Sequence, residues 1–155
     1  LKILATIEDC AIFVLGDGTI TFLAKAAIDA DGSGDSHGDP DFQPETSLKQ
    51  FGKSLNSDTE KFIVVPPIII RSVRPVVLGC QTFVTNTKNG LHSEAVVGDI
   101  GPAAKLGEIS IALANALGID PSPTTGGESE HVIHYSVQPG RPALVDGKVY
   151  DLQPS

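Results

Sequence analysis

The chain has 155 residues, enough for one domain with a sizeable core, and 41% of them are apolar. No apolar stretch approaches the roughly 20 residues that a membrane-crossing helix needs, which argues against a membrane partner. Nineteen acids against eleven bases leave a net charge of −8; phosphate backbones select basic surfaces, so this balance argues against nucleic acid and is compatible with a cationic ligand.

Sixteen glycines and eleven prolines, set among many Val, Ile and Thr, predict short strands joined by many turns. Lys2–Ile7 and residues 11–15 and 19–23 read as three strands, the last two joined through Gly16-Asp17-Gly18, where glycine tolerates positive φ. Residues 29–47 (DADGSGDSHGDPDFQPETS) form a long polar loop, of the kind that is either functional or disordered. Residues 48–55 could add a turn of helix. Residues 62–67 and 68–77 are nearly continuous β-branched runs, suited to strands covered on both faces, with Pro66, Pro67 and Pro75 restricting them to edges or bends. Strands follow at 80–85 and 94–98, with a turn at 86–90 between them. One principal helix is expected at about 108–117, stopped by Gly118 with Pro121 beyond it. Residues 120–129 are loop, 131–137 alternate as a strand, and 143–152 form a final hairpin around Asp146-Gly147. No internal repeat is present, and 1–155 reads as a single domain. The chain starts at Leu1 with neither a leader nor an initiator Met, so processing or truncation is expected.

The residues that carry chemistry concentrate in two places. In AVVGDIGPAAKLGEISIALANALG (95–118), Asp99 and Glu108 stand on either side of a Gly-Pro turn, a strand end and a helix start that can aim two acids at one space. Glu108 in a first helical turn would be favoured as the anion, hence the base, leaving Asp99, walled by Val96, Val97 and Ile100, as the acid. The same spacing fits a plain arrangement in which Glu108 complements the helix and Asp99 caps the turn. The second place is Asp29, Asp31 and Asp35 with His37. These acids can bind ammonium groups through charge-assisted hydrogen bonds, or simply make Asx turns in a solvated loop. Asp29-x-Asp31-x-Ser33-Gly34 also begins like a calcium loop, but its twelfth position is Pro40 and no glutamate closes it, so no metal is assigned.

Other chemistries find less support. His131 and His134, three apart on a strand, face opposite sides and cannot share a metal. His92 has no evident partner in the sequence. There is no G-x-S-x-G element, no phosphate loop and no dinucleotide fingerprint. Cys10 and Cys80 both lie in apolar runs, which fits two buried thiols or one disulfide.

The segment FVTNTKNG (83–90) followed by VVGDIGP (96–102), and the helix ending ALG (116–118), resembles the six-stranded double-psi β-barrel of rare lipoprotein A-type lytic transglycosylases and of expansin relatives. From Thr21 to Gly140 the chain is more closely similar to chitosanases of glycoside hydrolase family 75, through AIDADGSG (27–34), VVGDIGPAAKLGEIS (96–110) and HVIHYSVQPG (131–140). The loop DSHGDPDFQPETS (35–47) departs from that family's form. The resemblance implies a mainly β, secreted, monomeric catalytic domain without a cofactor. It also implies inverting cleavage of β-1,4 links in a cationic, chitosan-like polysaccharide by Asp99 and Glu108, with Asp29, Asp31, Asp35 and His37 on the substrate. Two rival readings share the barrel: a peptidoglycan lytic transglycosylase using Asp99 alone, and a silent wall-binding or interaction module.

Overall fold

The computed structural model describes residues 1–72 and 76–154. In chain order the strands are β1 (Lys2–Ile7), β2 (Cys10–Val14), β3 (Ile20–Asp29), β4 (Lys49–Gln50), β5 (Lys53–Ser54) and β6 (Phe62–Val65). Helix α1 (Pro67–Ser72) is followed by β7 (Cys80–Asn86), β8 (His92–Ile100), β9 (Glu108–Ser110) and helix α2 (Ile111–Ala116). The long β10 (Glu128–Pro142) and the short β11 (Leu144–Val145) and β12 (Lys148–Val149) complete the chain.

Six strands close into the expected barrel, in the order β3-β10-β7-β8-β6-β9, with β9 returning to β3. Most neighbours run antiparallel, but β6–β8 and β3–β9 are parallel. Closure leaves the barrel strands no free edge. Strands β1 and β2 extend the sheet outward from β3. The interior is filled by Ile12, Ile20, Phe62, Val96, Val97, Ile109 and Leu113, all fully enclosed, and by Phe22 stacked on Tyr135 with ring centroids 4.8 Å apart. Neither helix among the described residues is long and apolar enough to cross a membrane.

Three expected elements are corrected. The helix begins at Ile111, not near 108: Ser110 is its N-cap, its side chain accepting from Leu113 N, and residues 108–110 instead slot between β3 and β6. Glycine at 107, with φ +85°, makes the turn into that strand. Residues 48–55 give the β4–β5 hairpin rather than a helical turn, because Phe51 (φ 52°) and Gly52 (φ 75°) both adopt the left-handed conformation of a tight two-residue hairpin turn. The run at 68–77 is not a strand at its start: Pro67 opens α1, the first helical position that proline favours, and Pro75 lies outside the described residues. Cys10 carries a free thiol, buried with its Sγ 3.3 Å from His131 Nδ1, so the disulfide alternative does not describe it. Cys80 is also buried, its sulfur accepting from Val77 N.

Candidate functional site

Sheet register brings the two acids of the 95–118 segment together. Asp99 in β8 and Glu108 in β9 are both paired with Val64, one on each side of β6. With strands spaced at about 4.8 Å, the two backbones stand about 10 Å apart, and same-row positions project to the same face. The next strand continues the row, with Ala27 of β3 opposite Glu108. Asp29 lies two residues further along β3, on the same face. Asp99, Val64, Glu108, Ala27 and Asp29 accordingly line one open cleft of about 820 Å³. Gly101 keeps it accessible: a Cβ there would lie 2.8 Å from Glu108 Oε2 and 2.9 Å from Val64 Cγ1.

The two acids have different surroundings. Three donors converge on Asp99 Oδ1: Ser47 N at 3.0 Å, Ser47 Oγ at 2.7 Å and Ile100 N at 3.0 Å. They fix the carboxyl and use it as an acceptor. Glu108 has no hydrogen bond or ion pair among the described residues. Burial pushes its carboxyl above the usual range; Lys105 and Lys25 pull it back, while Asp99 and Glu8 push it further up. Glu108 is thus the group suited to keep its proton, the reverse of the assignment that a helix N-terminus would give.

Asp29 and Asp31 stand beside Asp99, and one carboxylate oxygen from each of the three lies within 4.8 Å of the others. The Asp29 carboxylate accepts from Asp31 N at 2.7 Å, and the Asp31 carboxylate from Gln43 N at 2.8 Å. Both are raised, first by burial and then by the negative charge of their neighbours; a hydrogen bond shared with Asp99 adds to the rise at Asp31. Three crowded carboxyls are relieved by protonation or by a cationic group among them. An ammonium and a metal ion would both satisfy that demand. The loop's calcium-like spacing does not build this cluster, since the third acid comes from β8.

Asp35 and His37 do not line the cleft. Asp35 Oδ1 accepts from His37 N at 2.9 Å, and His37 Nε2 bonds Asp58 Oδ1 at 2.8 Å. Ser33 Oγ also donates to Asp58. These contacts pin the 30–47 loop to the segment before β6. The same loop instead turns Asp39 and Asp41 toward the cleft. Sequence reasoning missed those two, together with Gln43, Ser47 and Lys105. The loop's acidity was visible, but alternating Asp residues do not reveal which of them face inward. His131, His134 and His92 all lie away from the cleft lining. No protein-family model matches this chain, and no curated protein matches it.

Proposed function

We propose that the protein is a secreted glycoside hydrolase cleaving β-1,4 links in a cationic, glucosamine-type polysaccharide. The observation that carries this reading is the placement of Asp99 and Glu108 on the two strands flanking Val64, facing one open cleft. Inverting glycosidases hold their two carboxyls roughly 6.5–9.5 Å apart so that a water fits beside the sugar, and backbones two strands apart are compatible with that gap.

In this reading Glu108 donates its proton to the leaving glycosidic oxygen. Asp99, steadied by Ser47 and Ile100, takes a proton from a water attacking the opposite face of the sugar. Asp29 and Asp31 grip the ammonium of a glucosamine unit. Charge supports the substrate class. Asp29, Asp31, Asp39, Asp41 and Asp99 line the cleft around the protonated Glu108, and Lys105 is the one basic residue in the described lining. Action as a monomer, without a cofactor, goes with the same reading.

The test is product analysis on chitosan, chitin, cellulose and peptidoglycan side by side, with Asp99→Asn and Glu108→Gln as variants. Reducing ends are expected from chitosan. Each variant should lose about 10²–10⁴-fold in rate, the usual contribution of a positioned acid or base, while still binding the polymer. Undiminished activity in either variant, or no cleavage of any polymer, would overturn the reading. Anhydro ends from peptidoglycan would replace it with lytic transglycosylation.

A further inference from the structure

Glu8 lies far from Glu108 in sequence and outside the cleft lining, yet it holds the two features that deliver Glu108. It sits in the two-residue turn between β1 and β2, where Glu8 (φ 50°) and Asp9 (φ 63°) are both left-handed. From there one carboxylate oxygen accepts from Leu106 N at 2.8 Å and the other from Lys25 Nζ at 2.7 Å. Leu106 is two residues ahead of Glu108. Between them, Gly107 packs so tightly on the Lys25 carbonyl that a Cβ would come within 2.2 Å of its oxygen. That same carbonyl accepts the Tyr135 hydroxyl at 2.8 Å. One carboxylate therefore clamps the turn before β9 to the strand beside it.

We propose that Glu8 is a positioning residue for Glu108, fixing the 105–107 turn through Leu106 N and holding the Lys25 ammonium in an ion pair that offsets its pull on the Glu108 carboxyl. The inference rests on Glu108 as the proton donor proposed above. Among the described residues, the charged and titratable groups around Glu108 are Asp99 from β8, Lys105 from the preceding loop, Lys25 and Asp29 from β3, Glu8 itself and the Tyr135 hydroxyl from β10. Lys25 and Lys105 favour the Glu108 anion, whereas Glu8 and Asp99 favour the protonated acid. Loss of the Glu8 charge removes one of the two acids that hold the proton on Glu108 and leaves Lys25 without its partner.

The experiment follows the Glu108 carboxyl directly, by ¹³C NMR titration of glutamate-labelled protein assigned with Glu108→Gln. It is run alongside the pH profile of kcat on chitosan. Glu8→Gln keeps an oxygen for Leu106 N but loses the charge. Its Glu108 midpoint and the alkaline limb of its profile should both move to lower pH, with kcat on the acid side within about twofold of the parent. Adding Lys25→Met to Glu8→Gln should move both back up. Glu8→Ala loses the clamp as well, and its kcat should fall about tenfold or more at every pH, the scale of a misplaced reacting group. A Glu108 midpoint unchanged in Glu8→Gln would overturn the proposal even with the rate unaltered. A parent protein inactive on every polymer would instead remove the hydrolase reading, while the NMR titration would still decide whether Glu8 tunes Glu108.

Discussion

Asp31 gives the site its clearest acid–base signature. Burial, offset in part by the Gln43 N–H, together with Asp99, pushes its carboxyl up to about 7 in the folded chain. The unfolded chain releases that proton near the ordinary carboxylate value, so between the two the folded state holds more protons. Stability from this group is fully present below the unfolded value and is lost as pH rises through the folded one. Asp31→Asn, which mimics the protonated form, should therefore leave the melting temperature unchanged near about pH 4 and raise it near about pH 8.5. Thermal melts at the two pH values check this; a variant that loses stability on going alkaline as steeply as the parent would contradict it. At this scale Asp29, Asp31, Asp99 and Glu108 stood out as acids, Asp99 because it lies beside a turn at a strand end, but Glu108 was expected on a helix and Asp29 in a loop, and both stand on strands. Ser47 was not legible. Its bonds to Asp99 span 52 positions, and no local pattern encodes a contact at that separation. Asp35 and His37 were misplaced for a related reason: Asp58, which takes His37, lies on a different segment.

Elements position these residues through a few backbone features. Gly107 and Gly52 both have positive φ, but a Cβ at 107 would strike the Lys25 carbonyl whereas one at 52 meets nothing within 4 Å. Gly52→Ala should cost only the left-handed penalty, about 1–2 kcal/mol. Gly107→Ala adds a backbone clash in the β9–β3 pairing and should cost more than about 3 kcal/mol, with loss of activity, since β9 carries Glu108. Denaturant melts of the two variants check the contrast, and equal losses would show that β9 is not held by this close approach. Ser110 is a second such point. Its hydroxyl caps α2 through Leu113 N, accepts from Phe62 N and donates to Glu60 O. This explains why the helix reads as starting too early from sequence: Gly107-Glu108 looks like a helix opening, but the buried Ser110 provides the cap. Ile109, Leu113 and Leu117 are all buried in the core, Ile109 from a strand and not from the helix.

For the whole molecule, the β-rich character was the most legible feature, since short β-branched runs punctuated by Gly and Pro read as strands and turns; closure into a six-stranded barrel was what the resemblance of residues 83–90 and 96–102 implied. Its ring order was not readable from composition, because β9 is only three residues long and gains its place from pairing on both sides. The closed ring sets Asp99 and Glu108 in one row, and the net charge of −8 surrounds that row with a negative field. Steering by such a field is screened by salt. The apparent KM for chitosan should rise as ionic strength goes from about 0.01 to 0.15 M, over which the screening length shrinks from about 30 to 8 Å, while kcat stays nearly constant. A KM insensitive to salt would mean that the cleft's charge plays no part in capture.

The central claim is that two carboxyls, two strand spacings apart on either side of Val64, act on a sugar with a water between them. Proton NMR of the first products released from chitosan reads this directly, before mutarotation mixes the anomers. The expected result is a new reducing end that appears first as the α anomer, inverted from the β link. A β anomer at first appearance, or no reducing end at all, would contradict it.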